Sequence, residues 1–262
     1  MRTVQANGVW LHVADSGPVG APAVLFANSL GTDLRLWDAV LPHLPEGLRY
    51  VRYDKRGHGL SETPPGPWTI TDLAQDAAGL VDTLALGPVV FVGLSIGGMI
   101  GQHLAVTRPD LVRALVLSNT AARMGDPGMW AARMAMIQAD GLGALEGAIL
   151  DRWFGPAFRR RPEAALWSAM LTRTPRDGYL ACCAAIAAAD LTAQTARLRL
   201  PALAIAGECD GASPPDLVEA TARLIPGTPC HVIPGTGHLP CVEAPMAFAE
   251  RLTPFLKDHT HG

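Results

Sequence analysis

What the 262-residue chain lacks narrows its function first. No stretch is long and apolar enough to cross a bilayer, since the strongest, residues 89–100, is short and broken by Gly and Ser. Charge of one sign is also missing: the formal net charge is -3, and the 21 Lys and Arg residues are scattered apart from short clusters such as Arg159, Arg160 and Arg161. Neither nucleic acid nor an anionic membrane is therefore expected as a partner. Residues 1–5 have no apolar run of the signal-peptide kind and lead straight into alternating sequence at Val9, Leu11 and Val13, which predicts a cytoplasmic protein. The cysteines Cys182, Cys183, Cys209, Cys230 and Cys241 are odd in number, with no CxxC pair and no zinc-ligand spacing. They are expected to be reduced thiols used mostly in packing, and no metal site is expected. No internal repeat is visible.

What is present is a 49% hydrophobic composition, enough for one large core with room for an insertion. Short runs rich in Val, Leu and Phe at 23–27, 89–92 and 114–117 read as strands buried on both faces, the habit of parallel sheets. Further strands are expected at 203–206, after Pro201, and around 231–233. Helical patterns lie between them at 70–84, 97–107 and 217–224, and the alternation predicts right-handed crossovers in an α/β sandwich. From about 124 to 198 the alternation stops. Ala, Met, Leu and Trp recur at helical spacing, punctuated by Gly and Pro, which predicts an inserted helical cap.

The chemistry centres on Gly93-Leu94-Ser95-Ile96-Gly97-Gly98, a G-x-S-x-G set between a strand and a helix. So tight a turn leaves no room for side chains at Gly93, Gly97 and Gly98, and it exposes the Ser95 hydroxyl at the amino end of a helix, where negative charge is favoured. A serine needs a base. Of eight histidines, His238 lies on a Gly-rich loop after the last expected strand. His58, in Asp54-Lys55-Arg56-Gly57-His58-Gly59, is the rival, but that turn reads better as a capped loop beneath the site. His12 falls in the first hairpin, His43 and His103 in helical patterns, and His259 and His261 in a frayed tail. The orienting acid is expected at Asp210, after the 203–206 strand, with Glu208 the poorer alternative; Ser118 and Asn119 at the other strand end cannot carry the charge. Serine, acid, histidine is also the chain order used with this kind of nucleophile turn. Backbone donors for an oxyanion, worth roughly 3 kcal/mol each, are expected from Ile96 and from the loop Asn28-Ser29-Leu30-Gly31, with Leu30 the preferred donor there.

Several segments together, Asn28-Ser29-Leu30-Gly31-Thr32-Asp33-Leu34 with Trp37, Arg52 to Gly59, the Ser95 turn, Ser118 to Arg123, Arg152-Trp153-Phe154, Asp177-Gly178-Tyr179 and Gly237-His238, resemble the 3-oxoadipate enol-lactonases over nearly the whole chain. The serine turn and RGHG are shared by many α/β-hydrolases; NSLGTDL, SNTAAR and RWF are the more specific signals. The resemblance implies an α/β-hydrolase fold, a mostly parallel central sheet flanked by helices, with core residues 1–122 and 199–262 and cap residues 123–198. It implies opening of 3-oxoadipate enol-lactone, a small-molecule substrate, without metal or organic cofactor. Whether the chain is a monomer or a homodimer stays open. The acetate arm of that substrate would need a donor, and Trp130 and Arg133, three apart on one helix face, are the candidates, with Trp153 expected to wall the same substrate cavity; packing of both tryptophans in the cap and a solvated Arg133 is the alternative. A carbon–carbon bond hydrolase, a carboxylesterase and a non-catalytic lactone receptor on the same fold also stay open.

Overall fold

The computed structural model describes residues 2–260, so the expectation for His261 lies outside the described residues. Eight strands form one sheet in the order β1-β2-β4-β3-β5-β6-β7-β8. They are β1 (Arg2–Ala6), β2 (Val9–Ser16), β3 (Ala23–Ala27), β4 (Arg49–Tyr53), β5 (Val89–Leu94), β6 (Val112–Ser118), β7 (Ala202–Gly207) and β8 (Cys230–Ile233). β1 and β2 form a hairpin closed by Asn7 and Gly8, both at positive φ, as the tight right-twisting turn requires. β2 also runs antiparallel to β4, and every pairing from β4 onward is parallel. β3, β5 and β7 are buried at every position, whereas β8, at the edge, leaves Val232 44% exposed.

Between the core strands run α1 (Ile70–Thr83) and α2 (Ile96–Thr107), and, after β7, α9 (Pro215–Ala222), α10 (Pro240–Glu243) and α11 (Pro245–Thr260). Thr69 and Asp72 close a reciprocal capping box on α1, which buries Leu73, Ala77 and Leu80. Leu25 and Phe91 pair across β3 and β5 and so share a face. Gly101 of α2 rests on Phe91, while Phe26 on the other face meets Trp37, which meets Phe248 of α11. Helices therefore cover both faces, and the site lies at the carboxyl edge between them. His259, expected in a frayed tail, instead stacks edge-on against Phe255 inside α11.

From β6 to β7 the described chain forms helices and turns with no strand: α3 (Pro127–Asp140), α4 (Glu146–Trp153), α5 (Pro156–Arg159), α6 (Ala164–Thr172), α7 (Arg176–Ala188) and α8 (Thr192–Thr195). α7 meets the RGHG turn so closely that a Cβ at Gly178 would stand 2.2 Å from the Gly57 carbonyl. Among the described residues no helix is long and apolar enough to cross a membrane. Cys182, Cys183 and Cys241 are buried thiols and Cys230 is half-buried, but Cys209 is exposed.

Candidate active site

Ser95 sits between β5 and α2 at φ 59° and ψ -121°, a left-handed conformation that a side chain adopts at a cost. The turn is over-determined by contact. A Cβ at Gly93 would lie 2.3 Å from the Gly97 carbonyl, one at Gly97 2.2 Å from the Ala27 carbonyl, and one at Gly98 2.5 Å from the Thr120 methyl. Three glycines are thus the condition for β5 to turn into α2 beside β3 and leave the hydroxyl standing over the sheet edge.

Asp210 follows β7 and is 4% exposed, yet its carboxylate is fully satisfied. Oδ1 accepts the Ala212 and Ser213 N–H groups at 2.7 and 2.9 Å; Oδ2 accepts Asn119 Nδ2 and His238 Nδ1, both at 2.9 Å. Four donors saturate this buried carboxylate, and its bond to Nδ1 fixes the ring tautomer of His238, with the proton on Nδ1. The close approach that allows this is again glycine: a Cβ at Gly207 would stand 1.8 Å from the Gly237 carbonyl. Nε2 of His238 then faces the Ser29 hydroxyl at 3.3 Å. Ser95 lines the same cavity as His238, and among the described residues no hydrogen bond joins the two. Glu208, the other carboxylate considered, points away and accepts the Gly235 N–H at 2.8 Å.

Of the two residues expected as oxyanion donors, Leu30 lies in the loop after β3 and lines the cavity, and Ile96 is the first residue of α2. His58 is wholly buried and serves that loop, its Nε2 accepting the Gly31 N–H at 3.0 Å. Burial, then the neighbouring Lys55, holds its imidazole well below the usual range, so it stays neutral as an acceptor requires. Asp54 beneath it accepts the Leu34 and Leu60 N–H groups and His12 Nδ1.

The cavity has a volume of about 240 Å³. Trp130, Arg133 and Trp153 all line it, in different roles. The Trp130 indole N–H, expected as a donor to substrate, is already bonded to the Met124 carbonyl at 2.7 Å, so this residue is a wall. Arg133 lies over the rings of Trp130 and Tyr179, with guanidinium-to-centroid distances of 5.4 and 5.8 Å. Its Nη2 donates to the Tyr179 hydroxyl at 2.9 Å, and its buried Nε has no partner among the described residues. The Trp153 carbonyl accepts the Leu239 N–H at 3.2 Å, which joins the cap to the histidine loop.

Four participants escaped the sequence reading. Arg152, seen only as part of a resembling segment, puts a second cation on the cavity wall; among the described residues the lining contains no Asp or Glu. Asn119, set aside as unable to carry charge, instead donates to the carboxylate that does. Glu243 accepts the Gly237 and Gly155 N–H groups at 2.6 and 2.8 Å, and burial pushes its carboxyl up to about 7. Lys55, 2% exposed, donates to the Ser29 carbonyl. RGHG and RWF were signals for two of these neighbourhoods; nothing in spacing marks Asn119 or Glu243.

Residues 22–245 match the family model of the alpha/beta hydrolase fold. Among curated proteins, 3-oxoadipate enol-lactonase 2 of Acinetobacter baylyi is 34% identical, over 97% of this chain and 96% of that protein. 3-Oxoadipate enol-lactonase 1 of the same organism is 31% identical, over 96% and 94%. Among solved structures, the enol-lactonase from Burkholderia xenovorans superimposes with a TM-score of 0.94 at 36% identity, over 98% of this chain and 100% of that one. With the Ser95 turn and the Asp210–His238 pair at the carboxyl edge of a mostly parallel sheet, the chain is a carboxylic ester hydrolase of the α/β hydrolase fold family, standing among the 3-oxoadipate enol-lactonases.

Proposed function

We propose that the chain opens 3-oxoadipate enol-lactone to 3-oxoadipate, with Ser95 as nucleophile, His238 as general base and acid, and Asp210 orienting and charging the imidazole. The observation that carries the reading is the cavity itself: about 240 Å³, with Ser95 and His238 on its wall, Arg133 and Arg152 as its cations, and no Asp or Glu in its lining among the described residues. A cavity of that size and sign suits a small anionic acyl compound, and the arm of the enol-lactone brings one carboxylate to it.

Ser95 gives its proton to His238 Nε2 as its oxygen attacks the ring carbonyl. The oxyanion rests on the Leu30 and Ile96 amides. Collapse breaks the ring C–O bond as His238 returns its proton to the leaving oxygen, which leaves an enol tethered to the acyl group; moving that proton from oxygen to carbon converts the enol to the ketone. That step matters because the tethered enol would otherwise close the ring again. Water then gives a proton to neutral His238 as it attacks the acyl-enzyme, and collapse returns that proton to the Ser95 oxygen and releases the new carboxylic acid, which ionises in water. Work of this kind belongs to the catabolism of aromatic compounds, and an enzyme of it would serve in the cytoplasm as a monomer or homodimer.

The test is steady-state turnover of the enol-lactone beside a vinylogous 1,5-diketone and a neutral p-nitrophenyl ester. A kcat/KM for the enol-lactone well above the other two is expected. Preference for the diketone would make this a carbon–carbon bond hydrolase, preference for the ester a general esterase, and a single turnover without repetition a receptor.

A further inference from the structure

The loop that presents Leu30 is held from beneath by an unpaired charge. Lys55, at the end of the stretch following β4, donates from Nζ to the Ser29 carbonyl at 2.5 Å. The same oxygen accepts the Thr32 hydroxyl at 3.0 Å and the Thr32 N–H at 3.3 Å. Among the described residues no carboxylate lies within ion-pair distance of Lys55. An ammonium buried without a counter-ion opposes folding, so packing alone gives it no reason to be there.

Its position does. The Ser29 carbonyl and the Leu30 N–H belong to one peptide unit. Among the described residues the only cis bond is Gly66–Pro67, so this unit is trans and its two polar ends point in opposite directions. The carbonyl faces buried Lys55, the N–H faces away from it, and Ser29 and Leu30 both line the cavity. The Ser95–Ile96 unit has the same build with a neutral donor: its carbonyl accepts the Thr120 hydroxyl at 2.6 Å, beside the Gly98 and Met99 N–H groups. Hydrogen bonds in series polarise one another, and most strongly when the first donor is charged and dry.

We propose that Lys55 is a positioning residue for the oxyanion: its ammonium, bonded to the Ser29 carbonyl, fixes and polarises the Ser29–Leu30 peptide so that the Leu30 N–H is a stronger donor to the charge that develops on the substrate. The proposal rests on the reading of Leu30 as a donor and Ser95 as the nucleophile. Burial pulls the Lys55 ammonium down to about 8. The titratable groups facing it are Asp54 and His58 on its own turn, Asp33 beyond β3 and Cys182 on α7. Burial pushes the Cys182 thiol up to about 11, and His58 titrates well below the usual imidazole range, so Lys55 is the one of these to change charge near pH 8. As pH rises through that value the ammonium is lost and kcat declines.

The experiment measures kcat, KM and melting temperature from pH 6.5 to 9.5 for the unaltered enzyme, Lys55→Met and Lys55→Arg, on the enol-lactone and on p-nitrophenyl acetate. For Lys55→Met, kcat at pH 7 is expected to fall about tenfold, part of what loss of a whole donor costs, with KM within about threefold. Its melting temperature should be no lower, because a desolvated charge is gone. Lys55→Arg, whose charge does not titrate here, should keep kcat at pH 7 and lose the alkaline decline. Unchanged kcat in Lys55→Met, a loss that tracks a lowered melting temperature, or a flat pH profile for the unaltered enzyme overturns the proposal. An unaltered enzyme inactive on the enol-lactone defeats the substrate reading alone, and the ester then carries the test.

Discussion

Replacing Arg133 with Met keeps the aliphatic stem over Trp130 and removes the guanidinium. If that group meets the substrate's carboxylate, the lost interaction is a charge-assisted hydrogen bond worth ~1.5–3 kcal/mol. At ~1.4 kcal/mol per factor of ten this is a fall of about 10- to 150-fold in kcat/KM. Arg152 on the same wall shares the carboxylate, so the lower end is expected. A second effect has to be separated from it. The Tyr179 hydroxyl, buried and bonded to Arg133 Nη2, loses its donor, at a cost to folding of up to ~1–3 kcal/mol. The assay therefore compares the enol-lactone with a neutral analogue bearing a methyl group in place of the acetate arm, at a temperature below both melting transitions. A fall of tenfold or more on the first with no change on the second is the expected result. Equal losses on both would show a packing defect and refute a contact with the carboxylate; no loss on either would refute any contact at all.

Asp210→Asn should lower kcat by several orders of magnitude, since an amide neither stabilises the imidazolium nor fixes its tautomer; Glu208→Gln, whose partner is the Gly235 N–H, should stay near the unaltered rate, and the reverse outcome would move the acid by two residues. Asn119→Ala removes one donor from Asp210 Oδ2, and at ~1.5 kcal/mol it should cost about tenfold in kcat with KM little changed; steady-state kinetics check the split. Glu243 takes up its proton more readily folded than unfolded, because burial raises its carboxyl from 4.5 to about 7. The folded state therefore binds more protons between those values, and this group's share of stability falls as pH rises through that window. Melting temperatures from pH 4.5 to 8 should show that slope weaker in Glu243→Gln than in the unaltered enzyme.

The features legible in the sequence were those with short-range causes. The Ser95 turn announced itself because three glycines and one serine at fixed spacing satisfy a local steric condition, and the strands beside it because burial on both faces leaves an unbroken apolar run. Helix boundaries were off where apolar spacing and cap chemistry disagree: the pattern begins at 217, but α9 starts at Pro215, whose fixed φ suits a first turn. The cap showed as helical but not as six separate helices, since its Gly and Pro residues mark breaks without saying which neighbours close over them. The unread parts of the site are all made by long-range pairing. Asn119 meets a carboxylate 91 residues away, and Glu243 ties the histidine loop to a cap residue 88 positions earlier. The bond that occupies the Trp130 indole N–H was not legible either, because a six-residue return to the Met124 carbonyl depends on how α3 enters.

The central claim, that Ser95 opens the enol-lactone, is tested most directly by following the loss of the lactone's ultraviolet absorbance with the unaltered enzyme and with Ser95→Ala, both shown to be folded by circular dichroism. The account predicts many turnovers per site for the first and a rate lower by several orders of magnitude for the second; no turnover by the unaltered enzyme, or near-normal turnover by Ser95→Ala, would contradict it.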